Sequence, residues 1–194
     1  MRSIAPAETQ LGYRRSATLE RLSDHFAVAS GVKVCWVVAM MLTALLLGTS
    51  FSHTLEMPAK MSYDGALYVT LQKTLYVAWG PPHLGGFLEP AALLAVALLT
   101  FLLKRRRPAV YLALTAMSLL LVAFPVVFFL FVEPANAEFR RMAIGSLPSD
   151  WMRWRAQWEY GHAARFVLHL SGFCLLVTAL LSHLRRRSVR AARS

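Results

Sequence analysis

Six side chains able to hold a metal ion or move a proton stand where apolar runs of this sequence begin or end: His53, Glu56, Glu89, Glu133, Glu159 and His162. His53 and Glu56 close the first run, Glu89 opens the second, Glu133 closes the third, and Glu159 and His162 lead into the fourth, so all fall at one level. The chain travels outward through His53-x-x-Glu56 and inward through Glu159-x-x-His162. Each pair therefore sets its His deeper than its Glu by about 4.5 Å, as a pseudo-two-fold arrangement requires. Four Glu and two His from four antiparallel helices form the ligand inventory of a di-iron or di-manganese carboxylate bundle, in which two helices give one Glu each and two give a Glu/His pair at i, i+3. Four carboxylates at a low-dielectric boundary also need about four compensating positive charges, which two divalent ions supply, as do Arg155, Arg165 and protonated His. On these grounds Glu159, His162 and Arg165 are the expected catalytic residues. The six His and Glu are the expected ligands of a divalent metal pair, with Tyr68, Gln72, Asn136 and Trp158 lining the entrance.

Other chemistry fits the same residues. Glu and Arg at helix ends cap, snorkel or pair at the headgroup level, which would make the polar ring structural, fixing register or binding a lipid or protein partner. A bis-histidine haem site, the lesser cofactor expectation, could join His53 to His162 or His169, with no Cys-x-x-Cys-His for covalent attachment. His169 lies about 10 Å deeper than His162, so both pairings cannot hold one ring. On the fourth run Arg155, Glu159, His162 and His169 share an arc of roughly 80°, which makes one helix face polar. No nucleophile motif, phosphate loop or Cys pair supports hydrolase, kinase or disulfide-exchange chemistry. The absence of paired Gly/Pro-broken half-spans argues against a transporter.

The elements that position these residues are set by apolar length. Of 194 residues 57% are hydrophobic and only 16% charged, with a mean hydropathy of +0.47, which does not suit a soluble domain. Val34 to Ser52, Leu84 to Leu103, Ala109 to Val132 and Ala163 to Ser182 are each about 20 residues long, enough to cross a ~30 Å hydrocarbon core as a helix. They do not alternate, so a β-barrel is excluded. The expected fold is all-α, an integral membrane four-helix bundle over residues 31–187. A cytoplasmic segment of low order, 1–30, with a possible amphipathic piece Ala17 to Val28, precedes it and a basic tail, 188–194, follows. Pro58 should stop the first helix. Leu67, Leu71, Leu75 and Trp79 recur at helical spacing and predict an interfacial helix over residues 63–79, on the outer face between spans one and two. Pro125 should kink span three, and span four should begin at Ser149 or Asp150 as N-cap.

The net charge of +11 is decided by position. Fourteen of the 21 Lys and Arg lie in the stretch through Lys33, in Lys104-Arg105-Arg106-Arg107 and in Arg185 to Arg193. By the positive-inside rule these are cytoplasmic, with both termini, in a plasma (inner) membrane. They would meet anionic lipid headgroups, and no aromatic-interleaved basic motif supports nucleic-acid binding. Cys35 and Cys174 cannot build a disulfide framework and read as packing residues. No apolar h-region follows the polar N-terminus, so span one would serve as an uncleaved anchor.

Two segments carry a resemblance. His53-Thr-Leu-Glu-Met-Pro-Ala-Lys60 with Tyr68-Val-Thr-Leu-Gln72 and Tyr76, together with Glu133-Pro-Ala-Asn136 and Trp158-Glu159-Tyr-Gly-His162-Ala-Ala-Arg165, resemble the anthrone-oxygenase-like family of small four-span membrane proteins over roughly residues 32–183. The resemblance implies a four-helix membrane bundle and, for a few members, oxygenation of an activated aromatic carbon. The polar His53-x-x-Glu56 pair departs from the family pattern, which leaves the substrate open.

Overall fold

In the computed structural model the backbone is described for residues 7–80 and 83–191, and side chains for residues 30–80 and 83–186. The backbone is helical from residue 7 through the stretch expected to be of low order, 1–30, and through residues 188–191 of the expected tail. Residues 1–6 and 192–194, and the side chains that would make Ala17 to Val28 amphipathic, lie outside this description.

Helix α1 runs Ala7–Ser62, α2 Gly65–Thr74, a 3-10 turn Tyr76–Ala78, and α3 Leu84–Leu102. Helix α4, Ala109–Leu121, winds on through a wide π-helical segment, Val122–Val132, into α5, Glu133–Arg141, and α6 spans Trp151–Ala191. Four of these stretches are long and apolar enough to cross a membrane: Ser30–Ser62, Leu84–Leu102, Ala109–Arg141 and Trp151–Arg186. They form a closed square in which α1 touches α3 and α6, and α4 touches α3 and α6. The core is a seam of small and branched residues: Ala39 on α1, Ala92 and Val96 on α3, Ala109, Ala113 and Ala116 on α4, and Leu176 and Ala179 on α6. Small residues at the contact let helix backbones approach where no hydrophobic force between helices operates. The opposite faces expose Val34, Met41 and Leu45, or Leu94, Leu98 and Phe101. That much exposed apolar surface is stable against acyl chains and not against water.

The expected bundle is therefore present, with differences in detail. Pro58 does not end α1, which continues to Ser62. Lys60, two residues beyond, is 2% exposed and paired with Glu159 of α6, and a buried ion pair on the far side of the proline holds the last turn against its cost of about 3 kcal/mol. The interfacial helix exists but is broken at Leu75 into α2 and the 3-10 turn. Its start is fixed by Asp64, whose carboxylate accepts from the Leu67 amide at 2.8 Å, an N-cap bond. Near its end the Thr74 hydroxyl bonds back to Thr70 O at 2.7 Å, a local competitor of helical propagation. Pro125 lies inside the π segment, so the missing amide is absorbed by widening the helix. Span three then continues to Arg141, which places Glu133 inside a helical stretch and not at its end. Glu89 likewise lies within α3, beyond its N-cap His83. Helix α6 starts just after Asp150, whose carboxylate accepts from the Trp154 indole at 3.1 Å. At Gly85 a Cβ would stand 2.0 Å from the Trp79 carbonyl oxygen, so only glycine lets the start of α3 lie this close to the preceding turn.

Candidate functional site

The end of the bundle that carries α2 holds a buried polar cluster built from α1, α2, α3, α5 and α6. Its centre is Lys60. The ammonium lies 3.1 Å from Glu159 Oε2 and 3.7 Å from Glu56 Oε2, over the rings of Trp158 and Tyr76 at 4.6 and 4.9 Å. Tyr68 donates its hydroxyl to Glu159 Oε1 at 3.0 Å, and Tyr76 donates to Glu56 Oε2 at 2.5 Å. Burial first, and then the neighbouring carboxylate, hold both phenols well above the ordinary tyrosine value of 10. They therefore remain donors across the physiological range.

A second group lies deeper. Arg165 Nη2 contacts Glu89 Oε1 at 2.5 Å, and its Nη1 donates to His162 Nδ1 at 3.3 Å. On the far side of Glu89, His169 Nε2 stands 3.4 Å from the same oxygen and its Nδ1 3.1 Å from Ser50 Oγ. Guanidinium only donates, so the Nδ1 lone pair of His162 is taken up by Arg165, and the hydrogen of a neutral His162 resides on Nε2. His53 differs. It is buried in an aromatic box, with ring centroids 4.1 Å from His162, 4.9 Å from Trp79, 5.0 Å from Trp158 and 5.1 Å from Tyr76. Its Nδ1 has no hydrogen-bond partner. Trp158 is held in place by its indole donating to Asn136 Oδ1 at 2.8 Å, while Asn136 Nδ2 donates to Glu133 Oε2 at 3.1 Å.

His53, Glu89, His162 and Arg165 face a cavity of about 1110 Å³ whose other walls include the apolar Leu46, Leu88, Phe124, Phe128 and Phe129 and the polar Thr49, Ser50, Lys73 and Arg140. Of the expected entrance residues, Gln72, Asn136 and Trp158 line it. Tyr68 instead sits behind Glu159.

The six expected ligands are thus close to one another in level but not gathered about one point. His53 and His162 touch, whereas Glu56 and Glu159 face Lys60, Glu89 faces Arg165, and Glu133 pairs with Arg140 at 2.6 Å. Among the described residues no group of three or more His, Cys, Asp or Glu is arranged to hold a metal ion. The four positive charges that four carboxylates need are side chains of the protein itself, Lys60, Arg165, Arg140 and the nearby Arg155. Arg155 is not the partner of Glu159; it donates to Tyr63 O at 2.9 Å and lies over Trp151. Imidazole rings at 4.1 Å leave no room for a porphyrin between His53 and His162. A helix expected to end at Pro58 leaves Lys60 in a loop and outside the expected site, and Ser50, Tyr76 and Trp79 also stand outside it. The i, i+7 spacing of Lys60 from His53, two helical turns on one face, was the available signal.

Fold and site together define a multi-pass membrane protein, an all-α bundle of four apolar helices with a buried ionic cluster at one end. No protein-family model, no curated protein and no solved structure matches the chain.

Proposed function

We propose that the protein is a membrane oxidoreductase of the oxygenase type acting on a lipid-soluble aromatic compound. The observation that carries this reading is the unpartnered Nδ1 of His53 in the wall of an aromatic cavity of about 1110 Å³. Pockets that combine apolar walls with convergent polar groups are where lipophilic ligands bind, and a neutral imidazole nitrogen without a partner can accept a proton. In this reading His53 takes a proton from an activated C–H or phenolic O–H of the bound ring. His162, its tautomer fixed by Arg165, donates Nε2–H to the resulting oxyanion, and the guanidinium behind it balances the charge. Dioxygen is the co-substrate: a CH₂ becomes a carbonyl, one oxygen atom is retained and the other leaves as water. The resemblance of His53 to Lys60 and of Trp158 to Arg165 to the anthrone-oxygenase-like family supports the reaction class. The distribution of Lys and Arg supports a plasma membrane with both termini cytoplasmic and the cavity at the outer boundary.

One observation favours a second reading. Glu56, Glu89, Glu133 and Glu159 each lie against a cation, as they would in a non-enzymatic protein whose polar ring fixes helix register or binds a ligand without turnover. Binding to the purified full chain begins the test, with 9,10-anthraquinone as the probe and tryptophan fluorescence as the readout, since Trp79 and Trp158 line the cavity. Saturable one-to-one quenching that Phe128→Ala weakens is expected. Quenching that rises linearly with probe, as for partitioning into detergent, contradicts the reading.

A further inference from the structure

At the opposite, basic end of the bundle, α1 and α6 enclose a second cavity of about 450 Å³. Its walls are Val32, Val37, Met40, Met41, Leu180 and Leu184, and among the described residues its ionic side chains are Lys33 and Arg106, with Trp36 and His183 also lining it. Lys33 and Arg106 are both exposed, and among the described residues neither makes an ion pair. Trp36 is 4% exposed, yet its indole Nε1 has no hydrogen-bond partner. A buried N–H left unsatisfied costs on the order of 1–3 kcal/mol, so a donor in that condition points to an acceptor that completes it.

Lysine, arginine and indole N–H are donors only. The ligand that suits them offers acceptors, carries negative charge and has an apolar part to lie along Val37, Met40, Met41 and Leu180. From these contacts we infer that this cavity is a specific site for a phospholipid with an anionic headgroup. The phosphate oxygens sit among Lys33, Arg106 and the Trp36 indole, and an acyl chain fills the slot between α1 and α6. Basic pockets between membrane helices bind anionic lipids in this way. From Val32 to Met41 the slot follows α1 for about 14 Å, so it takes a length of chain and not only the headgroup. The site lies on the far side of the Ala39, Ala92, Ala113 and Ala116 seam from the His53 cluster, and its occupancy does not depend on the chemistry proposed there.

Native mass spectrometry of the full chain in detergent, titrated with phosphatidylglycerol or phosphatidylcholine of the same acyl chains, tests this. Retention of one phosphatidylglycerol in preference to phosphatidylcholine by about tenfold is expected. Lys33→Gln with Arg106→Gln should remove the preference, while Lys104→Gln with Arg105→Gln, the same charge lost from the same end but off the cavity, should leave it. Trp36→Phe, which keeps an aromatic ring and removes the N–H, should weaken retention; the exposed pair keeps the test open if that variant does not fold. Equal retention of the two lipids by the wild type overturns the inference. So does loss of preference in the Lys104/Arg105 pair as complete as in the Lys33/Arg106 pair, or a folded Trp36→Phe protein that holds the lipid as before.

Discussion

Lys60 is 2% exposed, and the carboxylate facing it from α6 has no exposed side-chain surface, so neither charge can be left to water if the other is removed. Glu159→Gln keeps the shape and removes one charge. Because Glu56 still lies 3.7 Å from the ammonium, the expected loss is about 2–4 kcal/mol, toward the lower part of what breaking a buried pair costs. Lys60→Met should cost a similar amount, and the double substitution less than the sum. A thermal or denaturant series on the four proteins checks this, and strict additivity would break the pairing. The two tyrosines make a statement about pH. Their phenols titrate in the unfolded chain near 10 and well above that when folded, so the stability they contribute is complete below pH 10. As pH rises beyond 10 the unfolded chain gives up protons that the folded one keeps, and stability falls. Tyr68→Phe with Tyr76→Phe should be less stable at pH 7 but show a shallower loss between pH 9 and 11; identical slopes would remove the phenols from the alkaline transition. The sequence made Glu159, His162, Arg165, Trp158 and Asn136 legible because all but Asn136 share a single helix, α6, where spacing reports direction. Lys60 and the unpartnered His53 nitrogen were not legible, since each depends on which side chain of another helix arrives opposite.

Among the elements, the π segment Val122–Val132 connects sequence to site most directly. Pro125 cannot donate a backbone hydrogen bond, and the widened turns around it place Phe124, Phe128 and Phe129 along the cavity and let Glu133 and Asn136 continue as α5. π-helical turns are rare within helices and are frequent at functional sites. Pro125→Ala restores the donor and favours ordinary α-helical winding, which would rotate the phenylalanines relative to Asn136. The expected outcome is a protein of equal or higher thermal stability whose anthraquinone binding is weakened several-fold. A variant with unchanged binding would mean that the π winding is not what shapes the cavity. That span three is irregular at Pro125 could be read from the sequence, but the form of the irregularity could not, because a kink and a widened turn answer the same missing amide. The interfacial helix shows the same limit: periodicity in Leu67, Leu71 and Leu75 predicts helix through residue 79, and the break at Leu75 turns Tyr76 and Trp79 onto His53, a tertiary contact with no local signature.

At the scale of the whole molecule, four apolar lengths determine the bundle, and the small residues within them determine which faces meet. This level was almost wholly legible, because a bilayer leaves an apolar chain of this composition few folds in which every backbone polar group is satisfied. The two ends of the square then differ in chemistry: a basic end with an apolar slot, and an end with paired charges, aromatic rings and one uncommitted imidazole beside a large cavity. The central claim is that this imidazole, His53, acts as a base on a ring compound held there. Oxygen uptake by proteoliposomes supplied with 1,8-dihydroxyanthrone, corrected for protein-free vesicles, tests it most directly when wild type is compared with His53→Phe, which preserves the aromatic box and removes the nitrogen. A general base contributes on the order of 10²–10⁴ in rate. The account predicts uptake above the protein-free rate for wild type and a fall of at least about a hundredfold toward that rate for His53→Phe, at unchanged thermal stability. Equal uptake by the two proteins, or wild-type uptake no faster than that of empty vesicles, would contradict it.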